Sequence, residues 1–346
     1  MPDQTYDSVR DYAAQTQRVE PRAAQRRVAR APNMAWRQFK RAMRRQLPMF
    51  ALLTSLFIPA ALIHSFLTPL TPWLPIAFAW LGVALLVATI TAFARETWRD
   101  AIGITDFSGK KRRYAMLGAA PEVSAMDLRQ LPPNRRSPLG LLAFQPASAF
   151  ATAFRDLQHS LPPRGVVAFI APAAGEGATT AAMCAAISAT QQDKRVLLID
   201  CDLRQRALTK ALGPEPAEGV LEASESPEDW QRFITEEEET GLHFIPAARP
   251  RSAWRGLAGT RGFEQMLQRA RATYDIVILD CPPAGTADGP MVARLADKNI
   301  VVAAWDHTPR AAIRETMRAL RVRHGGAGVY VNRVPSGYRF GRLRAD

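Results

Sequence analysis

Residues 165–187 read GVVAFIAPAAGEGATTAAMCAAI. An aliphatic run, a turn carrying Gly175 and Gly177, and a run of small residues spell a buried strand, a tight loop and a closely packed helix. A glycine turn that opens a helix offers backbone N–H groups and the positive end of the helix dipole to a phosphate. The layout is that of a phosphate-binding P-loop. Ala178 stands where such a loop would carry its lysine.

Five more aliphatic runs follow: RVLLID (195–200), LHFIPA (242–247), YDIVILD (274–280), NIVVAAW (299–305) and GVYVNRV (328–334). Helical patterns lie between them near 178–192, 203–212, 259–273, 288–296 and 309–324, and SAFATAFRDLQHSL precedes the first strand. Near-continuous apolar strands alternating with helices predict an α/β domain over residues 146–334, a P-loop NTPase-like parallel sheet with helices on both faces. In such sheets ligands bind at the carboxyl ends of the strands. Three strands end in residues with chemistry to offer: APAAGEGATT, LLIDCDLR and VILDCPP. Thr179 is placed to coordinate magnesium, and Asp200, Asp202 and Asp280 to hold it directly or through water. Each piece alone is common; the three in this order are much more specific. Cys184, Cys201 and Cys281 match no zinc spacing and read as small buried residues.

The chain has 346 residues, a net charge of +13 and 47% hydrophobic residues, more apolar content than this one domain accounts for. Part of it lies in residues 48–67 and 73–94, which contain no Asp, Glu, Lys or Arg and are long enough to cross a bilayer as helices. Arginine and lysine crowd both outer flanks, from Arg37 to Arg45 and from Arg95 to Arg113, so both ends are expected to face the cytoplasm. The pair is therefore expected to form a transmembrane hairpin over 48–94, closed by the short turn TPLTP. Residues 1–47, basic and short of aliphatics, read as a disordered cytoplasmic leader that contacts lipid headgroups. No recognition fold accompanies the basic charge, so no nucleic acid is expected as a partner. Residues 95–145, charged and then Pro-rich, read as a juxtamembrane linker of limited order, and residues 335–346 as a basic tail.

VLLIDCDLR resembles the second Walker motif, and YDIVILDCPP the third, of the bacterial tyrosine kinases, deviant P-loop ATPases fused to or paired with polysaccharide co-polymerases. EGVLEA, LHFIPAARP, the stretch from Pro290 to Leu320 and VYVNRV are similar to the segments that follow in that family, and PLTPWLP with FARE to the co-polymerase second helix. The resemblance runs from about residue 36 to residue 334. It implies ATP or ADP with Mg2+ as ligands: Gly175, Glu176, Gly177, Ala178, Thr179 and Thr180 at the phosphates and Asn332 at the adenine. Thr179, Asp200, Asp202 and Asp280 would hold the metal.

The departures from the family pattern are as informative. Ala178 replaces the lysine that reaches the terminal phosphates, and no nearby basic residue is an obvious replacement, since Arg204 belongs to the second motif and Lys210 lies a helix away. Tyr338 is the one tyrosine after the last strand, where an autophosphorylating member has several. The oligomerisation frame of a Glu and two Arg reads Thr152, Arg155 and Gln158. The hairpin lacks the large extracytoplasmic domain of a co-polymerase. With tail and helix altered too, Ala178 reads as native rather than as an isolated silencing substitution. The expectation is a pseudokinase with vestigial catalytic aspartates Asp200, Asp202 and Asp280. It would sit in the bacterial inner membrane with both termini and the P-loop domain cytoplasmic. It would serve exopolysaccharide biosynthesis and export by contacting the polymerase or export machinery and copies of itself. One alternative is an active ATPase or tyrosine kinase of the same pathway. Another is a membrane-tethered relative of the ParA and MinD positioning ATPases, which usually carry an additional lysine early in the loop; Ala173 and Ala174 offer none.

Overall fold

The computed structural model describes residues 114–213, 216–238, 240–249, 256–321 and 326–335, together with Gly82, Val83, Leu86 and Val87. The chain divides after Arg99 into two units. Of the first, the four described residues are helical. No helix among the described residues is long and apolar enough to cross a membrane. The leader (1–47), the hairpin (48–94) apart from those four residues, and the tail from 336 onward lie outside the described residues.

The second unit begins with strand β1 (Ala115–Pro121) and helices α1 (Ala125–Arg129), α2 (Pro138–Phe144) and α3 (Ala149–Gln158). Then come β2 (Gly165–Ile170), α4 (Ala178–Thr190), β3 (Val196–Asp200), α5 (Ala207–Leu212), α6 (Val220–Glu225), β4 (Thr235–Glu237) and β5 (Leu242–Ile245). The last elements are α7 (Arg261–Thr273), β6 (Ile276–Asp280), α8 (Asp288–Ala293), β7 (Lys298–Ala304), α9 (Arg310–Leu320) and β8 (Ala327–Val334). The strands form one sheet in the order β1-β8-β7-β2-β6-β3-β5-β4, parallel throughout except where β4 pairs antiparallel with β5.

Alternation along each strand divides the core in two. Val166, Ala168 and Ile170 of β2 face α7 and α9 through Phe263, Met266 and Ile313, while Val167 and Phe169 face α3 and α4 through Phe154, Leu157 and Ala182. Because both faces are covered, the central strands are apolar at successive positions rather than at every second one. Helix α4 is buried from Ala181 to Ala189; its alanines let it lie close against the sheet. The chain leaves β2 for β3 on one side and later places β7 on the other, so the end of β2 is the switch point where such sheets bind ligands.

The six strands read from sequence are present within a few residues. The linker expectation for 95–145 is corrected for its described part. Residues 115–121 form an edge strand paired parallel with β8, and the Pro-rich stretch starts a helix instead of breaking one. Pro138 is the first residue of α2, where a missing N–H costs nothing, and the Ser137 hydroxyl accepts from Gly140 N at 3.1 Å to cap it. β1 has no sequence signature because AMLGAAP lacks β-branched residues and alternation; the pairing with β8 makes it a strand.

Candidate functional site

The loop between β2 and α4 is shaped by its glycines. Gly175 and Gly177 have φ of 81° and 99°, left-handed values that side chains resist. Gly177 is the N-cap of α4 and supplies no side chain to the first turn, so the N–H groups of that turn are left for a ligand. A Cβ on Gly177 would lie 2.0 Å from Asn332 Nδ2. The glycine is therefore required twice, by its φ and by this close approach.

Glu176, between the two glycines, turns inward and is 2% exposed. Its Oε1 accepts from Thr308 Oγ1 at 2.8 Å and its Oε2 from Ala173 N at 3.4 Å. Its backbone carbonyl accepts from Asn332 Nδ2 at 3.2 Å. The Thr308 hydroxyl also accepts from Ala304 N at 2.8 Å, which fixes it at the end of β7. Arg333 Nη2 donates to the Gly175 carbonyl at 2.8 Å. Burial raises the Glu176 carboxyl above the usual carboxylate range, against the bonds from Thr308 and Ala173 and the charges of His307 and Arg333. The loop is thus braced from β7 and β8, and Asn332, expected at the adenine, is turned onto the loop.

The three aspartates separate into two kinds. Asp200 and Asp280 are register partners at the ends of neighbouring strands and are 0% and 1% exposed. Asp200 Oδ2 accepts from Thr209 N at 2.9 Å and Thr209 Oγ1 at 2.6 Å, and its Oδ1 from Asp202 N at 3.1 Å. Asp202 Oδ1 accepts from the backbone of Arg204 and Gln205 at 3.1 and 3.0 Å, closing the turn that leads to α5. Neither oxygen of Asp280 has a hydrogen bond of good geometry among the described residues. Burial first, and then the charge of Asp200, push its carboxyl well above the usual range, while the nearby Thr179 hydroxyl opposes them.

Among the described residues no group of three or more His, Cys, Asp or Glu is gathered closely enough to hold a metal ion by itself. Magnesium at a phosphate loop retains waters and phosphate oxygens and needs few protein ligands. Of the four residues expected at the metal, the structure brings Thr179 to Asp280, whose unpartnered oxygens suit a hydrated cation. It engages Asp200 and one oxygen of Asp202 within the protein. The residues present fit magnesium and the backbone half of a phosphate site, and lack the lysine.

Sequence reasoning missed Thr209, on the helix that follows Asp200, and Thr308 and Arg333, which are remote in the chain from the groups they serve. The cysteines are buried as expected; Cys201 and Cys281 come directly after the paired aspartates, and burial raises both thiols. On α3 the altered oligomerisation frame is turned to internal use. Arg155 donates to the Pro146 carbonyl and to Thr152 Oγ1, and the buried Gln158 donates to the Ala185 carbonyl of α4 at 2.9 Å.

An AAA domain model matches residues 165–306, from β2 to just beyond β7. The succinoglycan biosynthesis transport protein ExoP of Rhizobium meliloti is 27% identical over 184 residues, 50% of this chain and 23% of ExoP. The tyrosine-protein kinase ptk of Acinetobacter johnsonii is 29% identical over 143 residues, 41% of this chain and 19% of that kinase. The fold is shared with the kinase domain of Escherichia coli tyrosine kinase ETK, with a TM-score of 0.54 at 21% identity, over 65% of this chain and 92% of that domain. These similarities support the resemblance to the bacterial tyrosine kinases. The part it shares with these curated tyrosine kinase and transport relatives is under a quarter of their length. This chain has the braced loop and both aspartate-bearing strands, with alanine at position 178.

Proposed function

We propose that this chain is a membrane-anchored, co-polymerase-like accessory protein of exopolysaccharide biosynthesis and export, whose tyrosine-kinase domain works by binding partners and not by phosphoryl transfer. The observation that carries the reading is the combination at the loop: complete bracing of Glu176 and Asn332, with Ala178 in the lysine position. Backbone N–H groups neutralise part of the phosphate charge but do not follow the terminal phosphoryl group as a lysine does. ExoP, by its name a transport protein of succinoglycan biosynthesis, supports the pathway.

Bound MgATP would bring a transferable phosphoryl group. The first turn of α4 would hold its phosphates, Thr179 and Asp280 its magnesium, and Asn332, once released from the loop, its base. The hairpin over 48–94 would place the domain at the cytoplasmic face of the inner membrane. There the polymerase or export machinery and further copies of the chain are its partners.

An active ATPase or kinase is the second reading, favoured by the unpartnered oxygens of Asp280. The test is phosphate release and phosphotyrosine formation by this chain and by Ala178→Lys. The expected result is no turnover above background for the chain itself and a gain in the variant. Equal, substantial rates in both would sink the pseudokinase reading.

A further inference from the structure

Between their last paired positions β8 has one residue more than β1: Ala119 faces Val331, but Pro121 faces Val334. The surplus falls on Asn332 and Arg333, a bulge of the kind that re-aims side chains beside binding sites. Arg333 has φ 58°, a conformation that a residue with a Cβ keeps only where its surroundings impose it. Two hydrogen bonds impose it here: Trp305 N donates to the Asn332 carbonyl at 2.8 Å and Glu122 N to the Val334 carbonyl at 2.6 Å. The strained residue carries its guanidinium to the phosphate loop, onto the Gly175 carbonyl at 2.8 Å. Arg333 is exposed. Of the five donors a guanidinium has, one is engaged among the described residues.

We propose that Arg333 is the cation of this phosphate loop, supplying from β8 the charge that Ala178 does not supply from α4. The ligand it would meet is the phosphate group of a nucleoside di- or triphosphate. A planar guanidinium suits phosphate oxygens and can bind two at once. The bulge gives the arginine a fixed origin, and the carbonyl contact parks it at the loop in the absence of ligand. The inference rests on the loop still accepting phosphate. It concerns binding, whereas the proposed function concerns turnover.

The experiment is a titration of the full chain, in detergent and with magnesium, using a fluorescent ADP analogue. It compares the chain with Arg333→Gly, Arg333→Lys, Ala178→Lys and the double variant Ala178→Lys with Arg333→Gly. Arg333→Gly should weaken binding about tenfold, the scale of one charged hydrogen bond, and Arg333→Lys should retain most of the affinity. Glycine adopts φ 58° freely, so thermal unfolding of Arg333→Gly without ligand should not fall below that of the parent. In the Ala178→Lys background the same change should cost less than about threefold, because the two cations would be redundant. Unchanged affinity in Arg333→Gly, an equal loss in both backgrounds, or no binding by the parent chain would each overturn the proposal. Turnover by the parent chain would break the proposed function and leave this inference standing.

Discussion

Asp200 and Asp280 end adjacent strands at the same register, each with a cysteine next in the chain, and both are buried. In sequence they are near-copies. In the structure Asp200 accepts from three donors and Asp280 from none of good geometry among the described residues. The difference lies in the path of the chain beyond each strand. After β3 the chain turns into α5, which brings Thr209 back to Asp200; after β6 it runs through Pro282 and Pro283, and Pro282 has no N–H to offer. The first carboxylate is a structural tie; the second lies buried beside the Thr179 hydroxyl of the phosphate loop, without a hydrogen bond of good geometry among the described residues.

The largest effect that can break this contrast is loss of the tie. Asp200→Ala would leave the Thr209 N–H, the Thr209 hydroxyl and the Asp202 N–H short of an acceptor in a buried place. It should cost about 3 kcal/mol, read by urea unfolding. A variant as stable as its parent would mean that Asp200 is as free as Asp280. Next in size, Asp280→Asn should leave stability unchanged or raise it by about 1 kcal/mol, because a buried ionisable group without a hydrogen bond of good geometry among the described residues is replaced by a neutral one. It should also abolish magnesium-dependent stabilisation by nucleotide. A loss of about 2 kcal/mol or more in the apo protein, on the scale of a buried group losing a partner, would show that Asp280 has structural work of its own.

The pH dependence sharpens the same contrast. The folded-state pKa of Asp280 lies above its unfolded value. The stability associated with its neutral form is therefore full below the unfolded carboxylate pKa and is lost as pH rises through the folded one. The stability gap between Asp280→Asn and the parent should accordingly widen from acid toward neutral pH. A constant gap would contradict the burial argument.

The smallest expected effect is at Asp275, at the opposite ends of the strands. The Arg195 N–H, the Arg195 side chain and Arg164 hold its carboxyl down to about 2. Its contribution has the reverse sign, present above the unfolded carboxylate pKa and lost as pH falls through about 2. Being at the solvent rim, it should shrink further in salt. Asp275→Asn should shift the thermal midpoint slightly at low ionic strength and hardly at all in molar salt.

The fold was legible in the sequence where burial is two-sided. β2, β3, β6 and β7 are aliphatic at successive positions and could be read within a few residues of their ends, and the glycine loop was legible because two left-handed positions admit little else. β1 was not legible, since Ala115–Pro121 becomes a strand through β8, at the far end of the domain. The same distance hid the loop's supports from β7 and β8. Thr209, Thr308 and Arg333 carry no local signal: the role of Thr209 appears when α5 returns to the end of β3, and those of Thr308 and Arg333 when the ends of β7 and β8 meet the loop. Asn332 could be named from the family pattern, but its bond to the Glu176 carbonyl could not.

The pairing of β1 with β8 also says where the molecule can be cut. A fragment begun at residue 146, the border that composition suggests, would strip the sheet of its outermost strand. The row of N–H and C=O groups on β8 would then be an open seam, ready to be zipped by a strand from another copy. Begun before residue 115, the fragment takes its own hem with it.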